Sequence, residues 1–168
     1  SRIERVDVYE IAVEVFKLLG ETTDRLIEKR IGFGPGEYFV QMDPSELHQV
    51  LLNLGTNAVQ AVAEHGVRQG DYIALLASGY LSLGREDPIG LPEGRYVQLA
   101  FCDTGVGMTE EVKRRAFDPL FTTRGKEKRG QGLGLSMVYN IICNKNNGFI
   151  EIDTVPGQGA TLNIYLPQ

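Results

Sequence analysis

The sequence predicts an α+β domain of two layers, a mixed sheet covered on one face by helices. Three observations carry that expectation. Apolar residues recur at the spacing of amphipathic helices over residues 6–19 and 45–65. Apolar runs bounded by Gly, Pro, Asp and Asn lie between and after them and are expected as strands. No internal repeat or linker divides the chain.

In order, VDVYEIAVEVFKLL (residues 6–19) is expected as a helix, followed by strands in RLIEKRIGF and EYFVQM joined by the turn GPG. Asp43, Pro44 and Ser45 supply a cap and first turn for a long helix, SELHQVLLNLGTNAVQAVAEH. DYIALLASGYLSL and GRYVQLAFCD are expected as a long hairpin, joined by a Pro/Gly-rich loop from Pro88 to Gly94. TEEVKRRAF is a short helix, and LGLSMVYNIICNKN is a helix that begins in a glycine-rich turn. GFIEIDTVPGQGATLNIYLP closes the chain as a second hairpin.

The 168 residues suffice for one domain with a proper core, and 42% hydrophobic with 23% charged residues is ordinary globular composition. No apolar run reaches the about eighteen residues of a membrane span. The net charge of −5 argues against nucleic acid as a partner. Cys102 and Cys143 form no CxxC pair and are expected as buried, reduced thiols. Ser1 is no initiator Met, so the chain is expected to be an excised piece whose parent can carry a membrane anchor.

Three stretches carry chemistry. On the long helix Leu47, Val50, Leu51, Leu54, Ala58 and Val62 form the apolar stripe, and Glu46, Gln49, Asn53, Asn57, Gln60 and Glu64 form the opposite side. Asn53 and Asn57 share one face. Asparagine is a poor mid-helix residue, and a solvated surface is the plain explanation for the pair; an amide oxygen is also a neutral hard ligand suited to a Mg2+ that rides on phosphates. AFCDTGVGM places Asp103 at the end of an apolar strand, followed by Gly105 and Gly107. This is good turn chemistry, and its carboxylate can also accept from an exocyclic amine such as adenine's. An EF-hand fails for want of alternating acidic ligands.

The third stretch concentrates Arg124, Lys126, Lys128 and Arg129 before Gly130, Gly132 and Gly134, in an otherwise acidic chain. Backbone amides at a helix start favour anions, and cations upstream add charge where phosphates collect. A solvated charge run in a loop is the plainer alternative. The spacing is neither a Walker P-loop nor, with KEKR rather than a strand before it, a good Rossmann fingerprint.

Together and in this order the pieces resemble the GHKL ATPase superfamily, and within it the catalytic ATP-binding domain of sensor histidine kinases, a Bergerat-type fold. The likeness runs from about Asp43 to Pro167. NLGTNAVQAV is similar to the N box, DTGVGM to the G1 box, FDPLFTT to the F box, GQGLGL to the G2 box, and GATLNIYLP to the family's last hairpin. The resemblance implies one catalytic domain over residues 1–168, with residues 1–20 as a connection from a preceding dimerisation domain and 123–131 as an ATP lid.

It implies ATP and Mg2+ as cofactors. Asn57 would ligate Mg2+, with Asn53 helping to hold phosphate or metal. Asp103 would accept from the adenine amine, with Gly105 in its turn and Gly107 lying against the ring, and Thr161 would approach the base edge. Phe117 and Phe121 would hinge and seat the lid. Gly130, Gly132, Leu133 and Gly134 would bring lid and helix amides to the phosphates. Among the cations Arg124 is favoured as a catalytic contact, then Lys126. Gln60 stands where many relatives carry lysine, which puts one expected phosphate contact in doubt.

Gyrase- and MutL-like members carry glutamate four residues before the metal-binding asparagine, as general base for water. Asn53 cannot take that proton. The resemblance thus implies a kinase domain that protects the γ-phosphate until a histidine on a separate dimerisation domain arrives, with relay to the receiver domain of a response regulator. His48 and His65 match no phosphoacceptor pattern and are expected as solvated bystanders; the acceptor is expected to precede residue 1. A cytoplasmic location, with no nucleic-acid or membrane contact by this segment, follows from the same likeness. The alternatives are a serine-kinase anti-sigma factor of the same superfamily and a domain that only docks partners.

Overall fold

The computed structural model describes residues 2–84, 90–119 and 130–168, with the backbone alone at 83 and 130–134. Strand β1 (Glu4–Asp7) leads into helix α1 (Val8–Thr22), then β2 (Glu28–Phe33), β3 (Phe39–Met42), α2 (Pro44–Glu64), β4 (Tyr72–Ala77), β5 (Tyr80–Leu83) and β6 (Gly94–Asp103). Helices α3 (Glu110–Arg115) and α4 (Gly130–Tyr139) follow, then a π-helical continuation (Asn140–Lys145), β7 (Phe149–Thr154) and β8 (Ala160–Pro167).

Among the described residues the main sheet has the order β2-β4-β6-β8-β7. Only β2 and β4 run parallel; the other pairs are antiparallel, so the sheet is mixed as expected. The first expected hairpin exists with an interruption. Leu76 pairs with Ala100, but Tyr80 pairs with Val97, so β4 and β5 carry one residue more than the facing stretch of β6. Gly79, at φ 140, lies in this bulge. The strands flanking GPG do not pair with each other: β2 joins β4, whereas β3 joins β1 in a separate two-stranded sheet. Within residues 1–20, expected as a connection from a preceding domain, β1 pairs with β3, and α1 buries Val8, Ala12, Val15, Phe16 and Leu19.

Both N-terminal helices start on aspartate caps. Asp7 accepts from Tyr9 N, and Asp43 accepts from Ser45 N at 2.9 Å and from the Ser45 hydroxyl at 2.7 Å. These Ser45 bonds hold the Asp43 carboxyl below its usual range. α1 lies against α2, where a Cβ on Gly55 would strike the Leu19 side chain. The core lies between helices and sheet. Leu47, Val50, Leu51, Leu54, Ala58 and Val62 of α2 are buried with Val97, Leu99 and Phe101 of β6 and Leu162, Ile164 and Leu166 of β8. The alternation of buried positions along β6 and β8 gives one helix-covered face and one open face.

α4 begins at Gly130, so GQGLGL forms its first turns rather than a turn that precedes it. Val138 is fully buried, and Leu135 and Met137 pack on the core. The π-helical continuation ends where Asn147, at φ 57, turns the chain and Gly148 N donates to Ile142 O at 2.7 Å.

Candidate functional site

α2 supplies the polar face expected from sequence, exposed at Gln49 and Glu64 and only partly open to solvent between them. Asn53, Asn57 and Gln60 are half-buried on the helix against which α4 packs. Asn53 Nδ2 donates to Gln49 O at 2.9 Å, one turn back. This bond supports an otherwise poor helix former and leaves the amide oxygen directed elsewhere. Among the described residues two buried side-chain atoms lack a hydrogen-bond partner: Asn57 Nδ2 and Gln60 Oε1. An orphaned buried polar atom costs about 1–3 kcal/mol. Two of them within one turn leave a buried donor and a buried acceptor unused by the fold. An amide can be turned over, so Asn57 offers an oxygen or an N–H there.

The turn after β6 is wedged against the same helix. Val106 N donates to Ala61 O at 3.1 Å, and a Cβ on Gly105 would stand 2.6 Å from Ala61 Cβ. On its other side the turn meets the β7–β8 hairpin: Gly157 N donates to Val106 O at 2.6 Å, and Met108 N to Thr154 Oγ1 at 3.0 Å. Gly107, at φ 70, leaves no room for a side chain between Val155 O, Gly159 O and Thr154 Oγ1. The two glycines are therefore demanded by the packing of α2 and the hairpin on either side of the turn.

Asp103 ends β6 on its helix-covered face, in line with Leu99 and Phe101. Its Oδ1 accepts from Gly105 N at 2.7 Å. Burial pushes the carboxyl up to about 6; the N–H groups of Gly105 and Ala160, then the charge of His65, oppose this. A half-buried carboxylate has lone pairs beyond those two bonds and can accept one more donor, from a ligand N–H.

The register corrects one sequence expectation. Asp103 faces Ala160, whereas Thr161 faces Cys102 on one side and Asp153 on the other. Since side chains alternate along a strand, Thr161 lies on the open face of the sheet, away from Asp103. Ala160, 7% exposed, holds the place beside the carboxylate. The GAT order conceals this, because one residue of slip exchanges the faces.

His65 is likewise no solvated bystander. Its side chain is 17% exposed, Nε2 lies 2.8 Å from Thr104 O, and Nδ1 lies 3.0 Å from Gly66 O and 3.2 Å from Arg68 Nη2. The carbonyls of Thr104 and then Gly66 raise its pKa. Asp71, buried beside it, accepts from Arg68 N at 2.7 Å and from the Thr104 hydroxyl at 2.8 Å. The backbone bond from Arg68 is the main reason its carboxyl lies below the usual range. His48 is half-buried on α2, and both cysteines are half-buried free thiols rather than fully buried ones.

Phe117 packs on the core after α3, its ring 5.3 Å from that of Tyr139. This couples the start of the F box to the end of α4. Gly130, Gly132, Leu133 and Gly134 lie in the first turns of α4, whose opening N–H groups helix geometry leaves unpaired. Phe121, Arg124 and Lys126, with Lys128 and Arg129, lie outside the described residues. Among the described residues no cluster of three His, Cys, Asp or Glu side chains could hold a metal ion, and no helix is long and apolar enough to cross a membrane. A Mg2+ at this site would therefore depend on amide oxygen, phosphate and water, which suits Asn57.

Residues 42–168 match the model of the histidine kinase-, DNA gyrase B-, and HSP90-like ATPase family. The chain is 36% identical over 167 residues to the sensor kinase CckA of Brucella abortus, covering 99% of this chain and 17% of that protein. It is 33% identical over 167 residues to the sensor histidine kinase ZraS of Klebsiella oxytoca, covering 99% of this chain and 32% of that protein. The chain thus spans about a sixth to a third of these relatives' length. Its fold matches the nucleotide-free catalytic domain of histidine kinase ThkA with a TM-score of 0.78 at 23% identity, over 99% of this chain and 96% of that one. The histidine kinase in a complex of ThkA with the response regulator TrrA gives a TM-score of 0.72 at 22% identity, over 98% of this chain and 41% of that one. The chain belongs to the histidine kinase-, DNA gyrase B-, and HSP90-like ATPase family, and the curated relatives named here are sensor kinases.

Proposed function

We propose that the chain is the catalytic domain of a sensor histidine kinase, binding Mg-ATP and presenting its γ-phosphate to a histidine on a separate dimerisation domain, with onward transfer to a response regulator. The observation that carries a kinase over a hydrolase is Asn53. Between Glu46 and Glu64 the whole of α2 holds no carboxylate, so no side chain near Asn57 on this helix can deprotonate an attacking water. Asp103 accepts from the adenine amine, Gly107 lies against the ring, and the Asn57 amide, whose Nδ2 has no partner in the free fold, meets the phosphate end. Bound Mg2+ supplies charge neutralisation across the phosphates, with Asn57 as its protein ligand. The N–H groups opening α4 favour the phosphate oxygens. Arg124 and Lys126 add positive charge from the lid. Catalysis then comes from positioning and electrostatics, and the nucleophile comes from outside the chain.

The test is labelled γ-phosphate followed in the presence and absence of a dimerisation domain carrying the acceptor histidine. The chain binds ATP with Mg2+ and labels that domain in trans. Efficient labelling of the chain itself at His48 or His65 overturns the proposal.

A further inference from the structure

His65 and Asp103 hold opposite ends of one peptide group. The carbonyl of Thr104 lies 2.8 Å from His65 Nε2, and the amide N–H of Gly105, on the same peptide plane, donates to Asp103 Oδ1 at 2.7 Å. A planar amide transmits both orientation and polarisation, so a donor on its oxygen strengthens the donation from its nitrogen. The rest of Thr104 is pinned as well. Its N donates to Tyr72 O at 3.2 Å, and its hydroxyl donates to Asp71 at 2.8 Å while accepting from Tyr72 N at 3.0 Å. Among the described residues His65 is the side chain that meets the carbonyl of this peptide.

Two charged groups besides Asp103 face the imidazole: Arg68, and Asp71 with Oδ1 3.8 Å from Nε2. Nδ1 meets both Gly66 O at 3.0 Å and Arg68 Nη2 at 3.2 Å; where Arg68, a donor only, takes its lone pair, neutral His65 carries the proton on Nε2. Protonated His65 carries a proton on Nε2 in any case. Either state donates to Thr104 O.

We propose that His65 is a positioning residue for base recognition: through the 104–105 peptide it sets the Asp103 carboxylate to accept the exocyclic amine of an adenine nucleotide. This rests on the reading of Asp103 given above, and it adds a residue from the end of α2, the helix that also carries Asn57. Losing His65 therefore costs the contact that distinguishes an aminopurine from an oxopurine, rather than the grip on phosphate.

The experiment is calorimetry of ATP and of inosine triphosphate, which lacks the amine, on wild type, His65→Leu and His65→Gln. His65→Leu weakens ATP about tenfold and leaves inosine triphosphate nearly unchanged, the size expected for one hydrogen bond to a strong acceptor. His65→Gln keeps an N–H donor and restores the preference. Equal losses for both nucleotides, or none, overturn the inference. A wild type that binds both nucleotides alike overturns the Asp103 reading instead, and the inference falls with it. Nitrogen NMR of wild type gives an answer even if the leucine variant does not fold: neutral His65 carries its proton on Nε2, and an Nδ1–H form overturns the inference.

Discussion

Asp103 closes its own turn: its carboxylate accepts the N–H of Gly105, two residues on, at 2.7 Å, in a place where burial has already pushed the acid up to about 6. The folded carboxyl thus ionises less readily than in the unfolded chain, where its value is 3.8. A carboxyl with a raised folded pKa contributes stability fully present below about 3.8 and lost as pH rises through about 6. At neutral pH the charge is a burden on the ligand-free fold. Asp103→Asn is expected to stabilise the free protein by about 1 kcal/mol at pH 7.5, a figure reduced for its partial exposure. The same change removes ATP binding, because the Asn amide either loses an acceptor or turns an N–H toward the adenine amine. Thermal melting and calorimetry on one preparation check both halves.

The same group sets a pH limit on affinity. An adenine amine needs an acceptor, so affinity falls as pH drops through about 6 in the free protein. Adenosine as ligand keeps phosphate ionisation out of the measurement. Affinity constant from pH 7.5 to 5 would exclude Asp103 as the acceptor.

Stability of the free protein is expected to decline from pH 5 to pH 8, through two groups of the same sign. Asp103 loses its contribution near 6; His65, whose folded pKa lies above 6.5, loses its own as pH rises further. Asp43 and Asp71, both lowered by hydrogen bonds, act in the opposite sense, and their stabilisation is lost only as pH falls below about 3.8. Denaturant unfolding across that range reads the slope, and Asp103→Asn flattens its lower half.

Much of this fold was legible because its signals are local. Asp43-Pro44-Ser45 announces the cap of α2, and the spacing of Leu47, Leu51, Leu54 and Ala58 announces its buried face. DTGVGM announces a turn on chemistry alone. What the sequence concealed were pairings between distant segments. Nothing near GPG shows that β2 and β3 part company, because both read as strands in either sheet. Thr161 was misplaced by one residue since a strand's facing depends on register with β6, and Ala160 gives no polar signal. His65 was missed because its partner, Thr104 O, is a backbone atom 39 residues away and is encoded by no side chain.

Gly107 tests whether the turn is shaped by packing. At φ 70 an L side chain is strained, and its Cβ would be driven among Val155 O, Gly159 O and Thr154 Oγ1, which are fixed by the hairpin's own bonds. Gly107→Ala is expected to cost about 2–4 kcal/mol, above the usual cost of a surface change. A melting temperature equal to wild type would mean the hairpin yields easily.

Asn57 separates fitness for binding from fitness for folding. Its Nδ2 is buried without a partner, so the ligand-free fold bears that cost and gains nothing from it. Asn57→Leu replaces the amide with an apolar group of similar size beside buried Leu54 and Ala58. The free protein is expected to become more stable by about 1 kcal/mol, which raises the melting temperature of a domain this size by about 2–4 °C. ATP binding is expected to lose much of its dependence on Mg2+, since the change removes the amide that holds the metal. Titrating Mg2+ at fixed ATP against both proteins resolves the point. If the leucine variant keeps its Mg2+ dependence, the metal is held by other groups and Asn57 has no claim on it; if it melts lower than wild type, the amide was already satisfied in the free protein.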